Sequence, residues 1–295
     1  MRLDDIDPTD NARDLGSGGG GGGGFGLLGL LPLLLGRGMG CGSIAIIGVI
    51  ALVYFAMGGG GMLGTSGGGG GQSPTAGQSG RQVCEQSPER LEACKVMRSA
   101  DDTWAAIFQG EGKQYQPATI NFYARNVDSG CGAASAAVGP FYCPRDGGVY
   151  LDTSFFQELA QRFGAKGDFA RDYVIAHEMG HHIQDLLGVS GEVSRRQAQS
   201  SEADGNALSV RLELQADCYA GVWAAKNKDR IEPGDIEEGM TAANAIGDDT
   251  LQKQAQGQVV PESFTHGTSA QRMAWLKKGL DSGDPGACDT FSGGI

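Results

Sequence analysis

Apolar residues recur at helical spacing through Asp-Phe-Ala-Arg-Asp-Tyr-Val-Ile-Ala-His-Glu-Met-Gly-His-His-Ile-Gln-Asp-Leu-Leu-Gly, residues 168–188. Asp168 is a good N-cap residue and Gly188 a good stop, so the spacing predicts one helix between them. A second long helix is predicted over roughly 205–226, where serine-rich sequence gives way to an apolar run. A third follows Thr268 or Ser269, either of which can cap it, and carries Arg272, Trp275 and Leu276. Val149-Tyr-Leu-Asp152 reads as a strand.

The front of the chain follows a different pattern. Residues 41–57 are apolar on every side, and no charge of either sign occurs between Arg37 and Arg81. With its uncharged flanks the stretch runs over 38–63, enough for the roughly 20 residues that a bilayer requires. It starts too late, behind an acidic head and a polyglycine tract, for a secretory leader. A retained single-pass anchor is therefore expected. The earlier apolar run, residues 25–35, is short and carries Pro32, and reads as interfacial. Every Arg of the short arm, 1–37, precedes the span, so the arm is expected in the cytoplasm. Residues 64–80 then form a flexible Gly/Ser stalk, and 81–295 a domain on the periplasmic or extracellular side.

Composition agrees with this division. Of 51 glycines, 27 fall in residues 1–80, which leaves 81–295 as the part able to bury a core. That part has 20 basic against 30 acidic residues. A surface so acidic makes a poor partner for nucleic acid, whose phosphates need clustered Lys and Arg. Six cysteines lie in the exported part: Cys84, Cys94, Cys131, Cys143, Cys218 and Cys288. An even number there suggests disulfides, with the connectivity open. Spacing favours Cys84–Cys94 and Cys131–Cys143 as short loops, with Cys218–Cys288 closing a long one. No Cys-x-x-Cys pair points to a structural zinc site instead.

Chemistry concentrates on the predicted helices. His177 and His181 stand four apart, on one helix face, where two imidazoles can share one Zn²⁺. Glu178 follows the first, placed to act as general base on a water at the metal. A third ligand has to come from elsewhere, and Glu213 on the second helix can complete a His₂Glu set. Asp217, one turn further, can accept the free N–H of a ligating histidine. Apolar neighbours surround both acids, a setting in which unpaired carboxylates are costly. His182 points about 100° away from His181 around the helix, which suits a structural role. His266, in the loop before the third helix, is a candidate donor to an oxyanion, and Arg272 a candidate anchor for that loop or for a substrate carbonyl.

At these residues the chain resembles the bacterial neutral zinc metallopeptidase family, which has a Gly-rich head, one membrane span and an outer domain with a His-Glu-x-x-His helix. The resemblance is carried by Gly139-Pro-Phe-Tyr-Cys-Pro144, Val149–Asp152, His177–Gln184, Glu213-Leu-Gln-Ala-Asp217, and Phe264-Thr-His-Gly267 with Gln271-Arg272. More distantly, Glu-x-x-x-Asp after His-Glu-x-x-His is similar to gluzincins. The resemblance implies an α+β zincin-like domain and a membrane-anchored zinc endopeptidase acting on protein or peptide substrates at the bacterial inner membrane. Val149–Asp152 is expected to offer its sheet edge to an extended peptide. The competing expectation is a tethered zinc-binding scaffold that holds a protein partner without cutting it.

Overall fold

A computed structural model describes residues 1–17 and 77–295, and in it the chain is a mixed α+β protein with one small sheet and many helices. In chain order the elements are β1 (Ala12–Ser17), α1 (Gly80–Cys84), α2 (Pro88–Gly110), β2 (Thr119–Ala124), β3 (Asn126–Ser129), β4 (Gly132–Ser135), β5 (Phe141–Cys143), β6 (Gly148–Leu151) and α3 (Ser154–Gln161). There follow α4 (Asp168–Leu186), α5 (Val189–Gln197), α6 (Glu202–Lys226), α7 (Asp235–Ala245), α8 (Asp248–Gln256) and α9 (Ser269–Ser282).

The main sheet has the order β1-β2-β6-β5, parallel except for the last pair, and β3 and β4 form a separate hairpin. Strand alternation divides the side chains. Ile120, Phe122, Val149 and Leu151 face the main core, while Tyr123 and Tyr150 join Val127 and Cys143 in a smaller cluster behind the sheet. Strand β6 lies between β2 and β5, so the expectation that Val149–Asp152 offers a free edge is corrected. That edge belongs to β5, because the antiparallel return of Phe141–Cys143 covers β6.

Helix α4 runs through the middle of the molecule and is buried along nearly its whole length. Gly167 caps it in place of the expected Asp168, which is its first helical residue. Its end falls at Leu186, and Gly188, in a left-handed conformation, turns the chain into α5. A glycine sets how closely α4 meets α6. A Cβ on Gly180 would lie 2.8 Å from the Ala216 carbonyl oxygen, so no larger residue permits this crossing. The crossing brings residues 177–181 against residues 213–217. At the next crossing, a Cβ on Gly279 of α9 would overlap the Cys218 carbonyl of α6. Three helices thus meet at nearly backbone distance around one point. Among the described residues the disulfides are Cys84–Cys94, Cys131–Cys143 and Cys218–Cys288, the pairs that spacing favoured.

The expected division between an arm, 1–37, and the domain needs correction. Residues 1–17 are part of the domain: β1 pairs in register with β2 from Ala12↔Ile120 to Asp14↔Phe122. Ion pairs join the same segment to the helices, Asp7–Arg81 at 2.8 Å and Asp14–Arg90 at 2.9 Å. The Met1 ammonium is buried, 2.8 Å from Asp168 and 3.2 Å from Asp235. Acidic residues that read from sequence as a soluble head are therefore partners for basic residues of α1 and α2. Among the described residues no helix is long and apolar enough to cross a membrane. The expected anchor (38–63), the 25–35 run and all but the last residues of the stalk lie outside the described residues.

Candidate active site

The α4/α6 crossing assembles the predicted ligands. His177 Nε2 is 3.2 Å from one Glu213 oxygen, and His181 Nε2 is 3.4 Å from the other. Ligand atoms of His177, His181 and Glu213 all lie within 4.8 Å of one another. Two imidazole nitrogens and a carboxylate converging beside an open cavity are the donor set of a catalytic zinc site with a free fourth position, so these residues fit that metal. The other acidic group of this kind among the described residues, Asp168, Asp235 and Glu238, surrounds the Met1 ammonium.

A buried polar shell holds the ligands in place. Asp217 Oδ1 accepts from His177 Nδ1 at 2.8 Å and from the Tyr173 hydroxyl at 2.6 Å. Arg272 donates to both Asp217 oxygens, each at 2.9 Å. Burial disfavours the charged His177 ring, but Asp217 outweighs it and raises the pKa to about 10. A carboxylate behind a ligating histidine fixes its tautomer and raises its basicity as a ligand. His181 Nδ1 meets Gln184 Oε1 at 2.9 Å, and the Gln184 amide donates in turn to the Leu212 carbonyl of α6. Burial pushes against ionisation of Glu213, yet His181 and His266 hold its carboxyl well below the usual range.

Glu178 stands apart from this shell. It is 7 % exposed, it lines the cavity, and among the described residues no hydrogen bond or ion pair holds its carboxylate. Burial raises its pKa against the pull of His181 and His177. The cavity has a volume of about 610 Å³ and also takes in Phe141, Phe155, Phe163 and His266.

His266 is fixed by a residue that sequence reading passed over. Asp248, at the start of α8, accepts the backbone N–H groups of Thr265, His266 and Gly267 and meets His266 Nδ1 at 3.1 Å. Nothing in the spacing of Asp248 marks it, since the contact spans 18 residues. Of the two candidate caps, Thr268 caps α9, in a capping box with Gln271. Arg272, 2 % exposed, has its Nε and Nη2 committed to Asp217 and Tyr173. It is a brace for the ligand shell, and its Nη1 reaches the Ile246 carbonyl at 3.4 Å. His182 lies outside the metal cluster. Its Nε2 meets the Gln116 carbonyl at 2.7 Å and its Nδ1 the Tyr142 hydroxyl at 3.1 Å, which ties α4 to edge strand β5.

A family model described as "Putative neutral zinc metallopeptidase" matches residues 1–291. The chain belongs to that family. The match begins at residue 1, so the metallopeptidase family's model includes the β1 segment that pairs with the domain. Uncharacterized protein YpfJ of Escherichia coli (strain K12) is 46% identical over 254 residues, which cover 84% of this chain and 88% of that protein. Uncharacterized protein Rv2575 of Mycobacterium tuberculosis (strain ATCC 25618 / H37Rv) is 44% identical over 219 residues, 69% of this chain and 72% of that protein. No solved structure matches the chain. The description of the family model places the chain among zinc metallopeptidases at the level of the family.

Proposed function

We propose that this protein is a membrane-associated zinc endopeptidase with a zincin-like catalytic domain, in which His177, His181 and Glu213 hold the metal and Glu178 is the general base. The observation that carries the reading is Glu178, a largely buried residue whose carboxylate has no hydrogen bond or ion pair among the described residues, one residue from a ligand and open to the cavity. A scaffold has no use for such a group, because burying an unpaired carboxylate costs stability. Bound zinc supplies Lewis acidity, polarising the scissile carbonyl and acidifying water. Glu178 takes the proton of the attacking water and returns it to the leaving amine. Asp217 keeps His177 in the tautomer that presents Nε2 to the metal, and Arg272 and Tyr173 hold Asp217. His266 donates to the oxyanion. With its Nδ1 against Asp248, donation from Nε2 needs the charged ring, which the Asp248 carboxylate stabilises. Edge strand β5 lines the cavity through Phe141 and Tyr142 and can pair with an extended peptide.

The test uses the full chain, purified in detergent. One zinc per chain is expected, with cleavage of an unfolded protein that a chelator abolishes and added zinc restores. One zinc without cleavage of any unfolded protein or mixed-peptide library would favour the scaffold, and no zinc at all would remove both readings.

For location, we propose attachment to the bacterial inner membrane through the uncharged 38–63 stretch, with residues 1–17 and the catalytic domain together on its outer side. A chain that crossed once between residues 17 and 80 would hold β1 and β2 on opposite sides of the bilayer, and these strands are hydrogen-bonded partners. Asp7 is well exposed. Asp7→Cys is therefore expected to react with a membrane-impermeant maleimide in intact spheroplasts as readily as an exposed cysteine placed at Lys277. Labelling of Asp7→Cys only after lysis would restore the cytoplasmic arm.

A further inference from the structure

We propose that Arg125 is a specificity residue, one that binds a carboxylate of the peptide substrate beside a large apolar side chain. The proposal rests on the peptidase reading for its chemistry, but its evidence lies in a residue that neither holds the metal nor orients its ligands.

Arg125 joins β2 to β3 with φ 69°, and among the described residues it is the one residue other than glycine in the left-handed region. A bulky side chain there is strained, and glycine would occupy the position without that cost. The surroundings hold it there. Asp152 accepts the Arg125 N–H at 2.9 Å, and the Ala136 N–H donates to the Arg125 carbonyl at 2.7 Å. The second Asp152 oxygen accepts the Ser154 N–H, so this carboxylate is spent on backbone and does not neutralise the guanidinium. Strain of this kind, held by its neighbours beside a cavity, is characteristic of functional positions.

The guanidinium is exposed, lines the same cavity as His177, Glu178 and His181, and has no acidic partner among the described residues. That is notable in a chain with 35 acidic residues to 23 basic ones. The neighbouring Arg162 differs, lying 3.8 Å from Glu158 and over the Phe163 ring. The same cavity is also lined by the aromatic rings of Phe141, Phe155 and Phe163. A planar guanidinium fork matches a carboxylate in two parallel hydrogen bonds. The cavity thus suits a peptide that places a Phe- or Leu-sized residue against the aromatic wall and a carboxylate at Arg125. An acidic side chain and a free C-terminus supply the same group.

The experiment compares wild-type full chain with Arg125→Gly on paired ten-residue peptides, each with one central Phe. One set replaces Asp or Glu by Asn or Gln at successive positions around the Phe, and the other replaces the C-terminal acid by its amide. Both cleavage and equilibrium binding are measured, with zinc content and thermal midpoint beside them. Wild type is expected to prefer the carboxylate member of one set by about 10- to 100-fold in kcat/KM, carried by KM. The set in which this appears names the source, side chain or C-terminus. In Arg125→Gly the ratio falls to near one, zinc content is unchanged, and the thermal midpoint is equal or higher because the strain is gone. Preference that survives in the variant, or is absent from wild type in both cleavage and binding, overturns the proposal. A lower midpoint with uniform loss on all peptides also overturns it, since that is a structural role. If nothing is cleaved but the carboxylate preference in binding depends on Arg125, the specificity site stands and the peptidase reading fails.

Discussion

Glu178→Gln is expected to lower kcat by about 10²- to 10⁴-fold, the range for removal of a general acid–base group, while leaving bound zinc at the wild-type level. The two readouts separate because, among the described residues, no hydrogen bond or ion pair joins the Glu178 side chain to the residues that orient the ligands. Asp217 and Gln184 orient the two histidines, and α6 carries Glu213. Stability is expected to stay level or rise, because glutamine fills the same space without a largely desolvated charge that no hydrogen bond or ion pair holds among the described residues. Metal analysis, kinetics on one unfolded protein substrate and a thermal scan check all three. Full activity in the variant would end the general-base assignment. Loss of zinc along with activity would show Glu178 to be a ligand or a support for one.

Asp217→Ala is expected to be the most destabilising single change in the site, by about 3–5 kcal/mol, because it leaves Arg272 buried without its counter-charge. Tyr173 and His177 Nδ1 lose their acceptor in the same step. Zinc affinity is expected to fall by about 10- to 100-fold, the usual effect of removing the carboxylate behind a ligating histidine. A double variant separates the two losses. Asp217→Leu with Arg272→Met removes both charges and refills the space, so much of the stability should return. Zinc affinity should not, since His177 still lacks its orienting partner. Denaturant unfolding together with zinc titration measures both. A single variant that unfolds within about 1 kcal/mol of wild type would mean that the ion pair does not hold the site together.

Legibility in the sequence followed the range of the interactions. His177, Glu178 and His181 share two turns of one helix, and Glu213 and Asp217 share one turn of another, so period alone places each set on a face. Their meeting was inferred from chemistry, from the need for a third ligand. What determines the meeting physically is Gly180, where the missing Cβ lets Ala216 come into backbone contact. Asp248 escaped notice because its three backbone contacts and its His266 contact depend on where α8 packs. Arg125 escaped because a left-handed φ at a non-glycine residue leaves no mark on composition or periodicity.

The N-terminal segment misled for a related reason. Five Asp and three Arg in a Gly-rich stretch look like a soluble head, because charge counted along the chain does not say which charges will pair. Asp7 and Asp14 find Arg81 and Arg90, more than 70 residues away, and β1 finds a sheet whose other strands start at Thr119.

By itself, then, the sequence determined the three helices that carry the site, the two residue sets they bear and the acidic balance of the domain. All of these depend on side chains within a few turns of one another. Only the tertiary structure decided that residues 1–17 belong to the domain, that β5 and not β6 is the free edge, that Arg272 braces Asp217, and that Arg125 faces the cavity. Each of those is a contact between segments distant in the chain. Local spacing carries no information about such contacts until packing brings the segments together.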